Sequence, residues 1–169
     1  MTGVQTCALP ICLRQAQSGG HSRVISFHTV HNALLARCQG RLPRLYRPFW
    51  FDRQREFHPG ESAIFSAPVF ELDDELKGRF SVHQINGGYA LNGEPIDTEG
   101  NAAIGAVLET FDDDRLTIDF DLEPGQIQFV HNRALGHSRT SFVDHPEPDR
   151  KRHLVRLWMR DHGRRAYPG

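Results

Sequence analysis

The sequence lacks an apolar run of the about 20 residues that a membrane-spanning helix needs. It also lacks a disulfide framework, because its three cysteines, Cys7, Cys12 and Cys38, form neither a C-x-x-C pair nor an even set. Neither sign of charge is in excess, since the formal net charge at pH 7 is -1. These absences argue against a membrane protein, a secreted disulfide scaffold and a general nucleic-acid binder. They predict a cytoplasmic protein.

The residues that are present are typical of one globular domain. The chain has 169 residues, of which 38% are hydrophobic and 24% charged, and this length is sufficient to bury a core. The charge is unevenly spread, because residues 71–123 are mostly acidic and residues 150–165 are rich in arginine. Those arginines alternate with apolar residues, so they suit an anionic small molecule better than a nucleic-acid backbone.

The first eleven residues, MTGVQTCALPI, do not form a signal peptide, because they lack a basic start and Pro10 interrupts their apolar run. They resemble the conceptual translation of a common sequencing adapter. We therefore expect residues 1–11 to be foreign to the protein and its N-terminal half to be missing. Residues 12–160 would then be the C-terminal part of one domain, and residues 161–169 a frayed tail.

Two segments have the periodicity of helices. Residues 29–38 have apolar side chains at near-helical spacing with Thr29 as a possible N-cap, and residues 97–112 form the best amphipathic pattern, with Asp97 or Thr98 as the cap. The pair His28 and His31 has a spacing that sometimes binds metal, but no acidic or cysteine partner is near, so we interpret both as surface or cap residues.

The remaining pattern predicts strands and turns. Strands are expected over residues 24–27, 63–72, 80–85, 116–122 and 127–131. Pro68 places the second of these at a sheet edge. Turns are expected at residues 86–88 and at Pro124-Gly125, the latter joining two strands as an antiparallel pair. The sequence therefore predicts a mainly β protein with a few helices, best matched by part of a double-stranded β-helix (jelly-roll).

The stretch from Gln126 to Arg160 contains most of the residues with chemical potential. After its first strand, a short turn leads to His137 and then Arg139. If the last part is a strand, alternation places five side chains on one face: Arg152, Leu154, Arg156, Trp158 and Arg160. Arginine side chains beside a large aromatic ring on one face of a strand are suited to bind a carboxylate.

Three motifs in this stretch resemble a known family. They are N-R-x-x-x-H, ending at His137, then R-T-x-F, starting at Arg139, and R-H-L-x-R-L-W, starting at Arg152. Together they resemble the C-terminal part of the taurine dioxygenase-like (TauD/TfdA) family of Fe(II)/2-oxoglutarate-dependent oxygenases. The resemblance implies a jelly-roll enzyme that hydroxylates a small organic substrate and releases succinate and CO2. It also implies a small-molecule substrate, anionic or zwitterionic, while the charge balance and the lack of a long apolar run predict neither nucleic acid nor membrane as a partner.

The resemblance also assigns roles by position. His137 would be the last ligand of a two-histidine, one-carboxylate Fe(II) site. Arg152 would bind the distal carboxylate of 2-oxoglutarate, and Arg156 would contact the cosubstrate or the substrate. A G-G-x-[T/S] turn of the family corresponds here to Gly19, Gly20, His21 and Ser22, which we call the glycine turn, and maps Ser22 onto a hydroxyl that bonds the cosubstrate carboxylate.

One part of the family pattern is missing. The other two metal ligands form an H-x-D pair upstream of the glycine turn, but the nearest match here is His145-Pro146-Glu147, which lies after His137 in a proline loop. We expect the pair to lie in a lost segment before Leu13 and the chain as given to be inactive. Two alternatives stay open: a non-catalytic jelly-roll that binds a small anion, and a pseudo-enzyme that never had the pair. Without the arginines, His137 alone would be interpreted as a residue that caps a turn.

Overall fold

The computed structural model of the chain describes residues 7–159. In chain order the strands are β1 (Cys7–Arg14), β2 (Ser18–Gly19), β3 (Ser22–Ser26), β4 (Phe49–Asp52), β5 (Ile64–Ala67), β6 (Phe70–Leu72), β7 (Leu76–Gly78), β8 (Ile118–Phe120), β9 (Val130–His131), β10 (Leu135–Arg139), β11 (Phe142–Val143) and β12 (His153–Met159). The helices are α1 (Phe27–Arg37), α2 (Leu42–Leu45), α3 (Val82–Asn92) and α4 (Thr98–Phe111). The described part is therefore mainly β with a few helices, as predicted. None of these helices is long and apolar enough to span a membrane.

Two three-stranded antiparallel sheets carry the residues of interest. The first has the order β12-β1-β9 and places Cys12 opposite Leu154. The second has the order β10-β3-β8 and places His137 opposite Val24. A short ladder of β11 with β2 pairs Phe142 with Gly19. Residues on three distant parts of the chain are thus brought to neighbouring positions.

The second sheet is anchored on a helical core. Ile25 and Phe27 are buried in one cluster with residues of α1, α2 and α4. The Phe27 ring meets the rings of Phe70 and Phe111 edge-on at 6.4 Å, and burying a ring of this size contributes about 1.5–3 kcal/mol. Gly136 of β10 lies against Phe111 so closely that an added β-carbon would be 2.4 Å from the ring. The backbone next to His137 is therefore fixed by contact with α4.

The predicted helix over residues 97–112 is confirmed as α4, and Asp97 caps it by accepting a hydrogen bond from the Gly100 N–H at 2.7 Å. The other predicted helix exists as α1 but begins earlier, and the expected N-cap at Thr29 is wrong. Ser26 is the cap, since its hydroxyl accepts from the His28 N–H at 3.2 Å. The earlier start lets Phe27 join the buried face of the helix.

The predicted strand over residues 80–85 and its turn at residues 86–88 are wrong, because this segment is helix α3. Its N-cap is Ser81, whose hydroxyl accepts from the Gln84 N–H. Gly88 is buried against β4, where an added β-carbon would be 2.5 Å from the carbonyl carbon of Trp50. The glycine that suggested a turn is instead needed for close packing of a helix on a strand.

The predicted pairing of the strands around Pro124-Gly125 is also wrong. The chain does turn there, but β8 pairs with β3 and β9 pairs with β1. The reason lies at Cys12 of β1, whose N–H donates to the Gln126 carbonyl and whose carbonyl accepts from the Gly125 N–H. The predicted interruption of residues 63–72 at Pro68 is confirmed, since β5 ends at Ala67 and β6 begins at Phe70.

Candidate functional site

Arg152 lies immediately before β12 and is half-buried. Its main-chain N–H donates to the carboxylate of Asp144 at 2.8 Å, which fixes the chain at this point. Among residues 7–159 no hydrogen bond or ion pair joins the Arg152 guanidinium to a carboxylate. Burial and the charge of Arg139 lower the pKa of Arg152. A half-buried cation without a partner acid is suited to bind an anion.

The glycine turn and Arg152 share one cavity of about 210 Å³. Its wall consists of residues 15–21 together with Cys12, Asp121, Leu122, Arg152 and Leu154. Cys12 and Leu154 face each other across β1 and β12, so the floor of the cavity belongs to the first sheet. His21 and Asp121 close the opposite side through a hydrogen bond between Nδ1 and Oδ1 of 2.5 Å.

His137 is half-buried at the centre of β10, which is an edge strand of the second sheet. Its pKa is lowered, first by burial and then by the charge of Arg156. The imidazole is therefore neutral at physiological pH and keeps a nitrogen lone pair for a metal ion. Ser22 is directly opposite Arg139 in the same sheet, and alternation places Ser22, Arg139 and His137 on one face.

The structure thus brings the predicted residues together in two groups. Arg152 lies with the glycine turn in the cavity, and His137 lies within the electrostatic influence of Arg156. Ser22 is buried on the face of His137, but neither Ser22, His137 nor Arg156 lines the cavity. Arg160 and the side chain of Trp158, predicted on the same face as Arg152, lie outside the described residues.

The residues that the structure describes do not form a complete metal site. Within residues 7–159 no group of three or more His, Cys, Asp or Glu side chains could hold a metal ion. Glu147 of the His145-Pro146-Glu147 match is exposed and lies 3.6 Å from Arg150. His31 bonds the Tyr46 hydroxyl at 2.9 Å, and His131 accepts from the Ala134 N–H. His137 is then a single candidate donor, which does not fit iron by itself.

Three neighbours of Arg152 were not identified from sequence as site residues. Phe142 has its ring centroid 5.3 Å from the Arg152 guanidinium carbon, and Cys12 and Asp144 are the other two. Phe142 belongs to the R-T-x-F motif, which was a usable signal. Asp144 lies in an irregular loop and Cys12 on a distant strand, so no local pattern marks either residue.

Comparison with known proteins identifies the family. The family model described as "Taurine catabolism dioxygenase TauD, TfdA family" matches residues 11–158. FR-33289 synthase of Streptomyces rubellomurinus is 29% identical over 167 residues, which cover 94% of this chain and 48% of that protein. The chain thus spans about half the length of this curated relative.

Solved structures agree on the fold. An asparagine oxygenase in complex with Fe(II), 2S,3S-3-hydroxyasparagine and succinate superposes with a TM-score of 0.67 at 21% identity, covering 89% of this chain and 44% of that one. The non-heme iron oxygenase OrfP with Fe and alpha-ketoglutaric acid gives a TM-score of 0.62 at 16% identity, covering 96% and 47%. These neighbours are double-stranded β-helix oxygenases, which confirms the predicted fold class. The ligands in both are consistent with the predicted cofactors, Fe(II) and 2-oxoglutarate. The chain belongs to the TauD, TfdA family of dioxygenases.

Proposed function

We propose that this chain is the C-terminal part of an Fe(II)/2-oxoglutarate-dependent dioxygenase, which hydroxylates a small organic substrate and releases succinate and CO2. The observation that carries the proposal is Arg152. It is half-buried, its guanidinium has no carboxylate bonded to it among residues 7–159, and it lines one cavity with the glycine turn. Family membership makes 2-oxoglutarate the anion that would satisfy this charge.

Each predicted residue has a chemical role in this proposal. The planar fork of Arg152 would bind the distal carboxylate of 2-oxoglutarate with two parallel hydrogen bonds, and the Ser22 hydroxyl would add a third. Neutral His137 would be one of the protein ligands of Fe(II). Arg156 would contact the cosubstrate or the substrate, and its charge also favours the neutral form of His137.

We propose that the other two metal ligands belong to a part of the protein outside this sequence. An apolar surface supports this idea. Ile127 and Val155 flank position 11 of β1 on its two sides in the first sheet, and Phe129 and Leu157 continue the same face. We call these four residues the apolar face. Phe129 is 70% and Leu157 50% exposed, and a contiguous exposed surface of this kind is typical of an interface.

We also propose that residues 1–11 derive from a sequencing adapter, so that the natural protein has a different sequence at the start of β1. Reading the gene from its source tests this directly. An upstream frame that encodes an H-x-D pair would support the longer enzyme. A natural start at Met1 followed by the same eleven residues would contradict the adapter interpretation.

The substrate is proposed to be anionic or zwitterionic, because arginines dominate the charged groups near His137 and Arg152. A second candidate function is a non-catalytic module that binds a small anion. The observation in its favour is the lack of a three-ligand cluster among residues 7–159. In this module Arg152 would still bind the anion, and no iron would be needed. A pseudo-enzyme that never had the H-x-D pair would be one form of this module.

The decisive experiment measures succinate formed from 2-oxoglutarate by the longer protein. His137→Ala should abolish iron-dependent turnover, and Arg152→Gln should raise the KM for 2-oxoglutarate. Arg41→Gln removes one exposed arginine from the 3-10 turn at residues 39–41 and serves as the control. Normal turnover in both site variants would reject the proposal, whereas metal-free anion binding without turnover would favour the module.

A further inference from the structure

The side chains of two arginines, Arg139 and Arg152, lie near the ring of Phe142. The guanidinium carbon of Arg139 lies 4.2 Å from the centroid of that ring, and that of Arg152 lies 5.3 Å from the same centroid. Guanidinium groups at these distances are attracted to the electron-rich ring. The ring therefore keeps two positive charges close to each other, and of these three residues Arg152 lines the cavity.

Neither guanidinium forms an ion pair with an acidic side chain in the described range, and the Asp144 carboxylate acts on the Arg152 guanidinium only through its charge. Arg139 donates to the carbonyl oxygen of Thr140 at 3.0 Å and, within residues 7–159, has no ion pair. Its charge is one reason why the pKa of Arg152 is lowered. Of the nearby carboxylates, Asp144 bonds the Arg152 main chain, and Asp121 bonds His21 across the cavity. Two like charges that lack ion-pair partners repel each other, and a bound anion would relieve that repulsion.

The backbone holds this arrangement ready before any ligand binds. Arg139 ends β10 opposite Ser22, and Phe142 begins β11 opposite Gly19. Between them, the Thr140 hydroxyl accepts from the His21 N–H, and the Thr140 N–H donates to the His21 carbonyl, both at 3.0 Å. The turn that carries both side chains is thus fixed to the glycine segment of the cavity wall. A site organised in advance loses little free energy to ordering when it binds.

We propose that Arg139, which lies beside the cavity on the Phe142 ring, is a second anion-binding residue next to Arg152, so that a small dicarboxylate binds to both cationic side chains. This inference rests on the proposed role of Arg152 and extends it to a residue on a different sheet. Arg139 supplies charge to the same ligand and, by stacking on Phe142, supports the position of Arg152.

The test uses glutarate, a dicarboxylate without the keto group, so binding does not depend on a metal ion. Isothermal titration calorimetry on this chain would compare the unmodified protein with Arg139→Gln, Arg139→Lys and Arg152→Gln, with Arg41→Gln as a charge-matched control. Arg139→Gln should weaken glutarate binding about fivefold, equivalent to about 1 kcal/mol. Arg139→Lys should recover part of the loss, and Arg41→Gln should change nothing.

The salt dependence of glutarate binding separates a charge effect from a structural one. Added salt should weaken binding to the unmodified protein more than to Arg139→Gln, because that variant has lost one cation. Equal affinity and equal salt dependence in these two proteins would overturn the inference, as would no measurable binding of glutarate to the unmodified protein. If only Arg152→Gln weakens binding, Arg139 has no role and the proposed function stands. If both weaken binding but the longer protein shows no turnover, the proposed oxygenase fails and the two-arginine site stands.

Discussion

Gly20 lies directly against Arg152, such that a β-carbon added at position 20 would be 3.2 Å from the Nε of Arg152 and 3.4 Å from the Cβ of Phe142. Gly20 also has a φ of +79°, in the left-handed region that side chains rarely adopt. The glycine turn therefore does more than reverse the chain. It leaves open the space in which the guanidinium of Arg152 lies beside the cavity.

The first prediction is that Gly20→Ala displaces Arg152. The substitution should cost about 1–3 kcal/mol of stability from backbone strain, and it should weaken glutarate binding because the guanidinium must move. Gly40→Ala is the matched control, since no atom lies within 4 Å of a β-carbon there and φ is not positive. Denaturant unfolding and calorimetric titration measure the two effects. Equal changes in stability and in glutarate affinity for Gly20→Ala and Gly40→Ala would show that the turn does not position Arg152.

The second prediction concerns the acid sensitivity that His137 gives the metal-free protein. Burial and Arg156 lower the pKa of His137 below its ordinary value of 6.5. At low pH the unfolded chain therefore binds a proton more readily than the folded chain, so the stability conferred by neutral His137 falls as pH drops through about 6.5. His137→Gln should make the stability curve between pH 8 and pH 5 flatter.

The control for this experiment is His58→Gln, which removes a histidine from an exposed turn. Its free energy of unfolding should follow that of the unmodified chain across the same pH range. A His137→Gln curve parallel to the unmodified one would mean that the imidazole is not held in its neutral form by its surroundings.

Local sequence signals predicted the elements whose determinants are close in the chain. The sequence predicts helix α4 with Asp97 or Thr98 as its cap, and the cap is Asp97, which is three residues from the Gly100 N–H that it bonds. The last strand was predicted from alternation, and β12 begins one residue after Arg152. In both cases the interactions that stabilise the element act within a few residues, so the pattern is visible without tertiary structure.

The errors arose where a distant contact determines the conformation. Helix α3 contains Gly87-Gly88, which is typical of a turn, yet Gly88 packs on the backbone of Trp50. Likewise, β9 pairs with β1, a strand more than a hundred residues earlier in the chain. In the site, the sequence leaves Arg139 open between a surface ion pair and a site role, and its stacking on Phe142 is visible only in the fold. Spacing along the chain cannot predict such contacts.

The third prediction concerns Asp97, which links the α4 cap to a buried cation. Its carboxylate accepts from Arg44 Nη2 at 2.8 Å, and the Arg44 side chain is only 5% exposed. Removing the carboxylate in Asp97→Ala should cost about 2–4 kcal/mol, because both a cap and the partner of a buried guanidinium are lost. Asp97→Asn keeps a cap oxygen and should cost about half as much.

The hydrogen bond from Arg44 lowers the pKa of Asp97 to about 2. Since its ordinary value is 3.8, the stabilisation is complete above that pH and is lost as pH falls through about 2. Acid titration of the free energy of unfolding should therefore be less steep in Asp97→Asn. Asp74→Ala, an exposed acid on the loop between β6 and β7, is the control. If Asp97→Asn lowers the free energy of unfolding as much as Asp97→Ala does, the whole effect comes from the charge and none from the cap oxygen.

The fourth prediction concerns the apolar face of the first sheet. Because Phe129 is 70% exposed in this chain, Phe129→Ser should change the free energy of unfolding by less than about 0.5 kcal/mol. If the longer protein covers this face, as proposed, the same substitution there should cost about 3 kcal/mol or more, in the range of a buried phenylalanine. Val130→Ser is the comparison. Because Val130 is 1% exposed, this substitution should lower the free energy of unfolding substantially in both proteins. If Phe129→Ser also has a small effect in the longer protein, the additional chain does not cover this surface. The apolar face would then no longer support the proposal that this chain is one part of a larger domain.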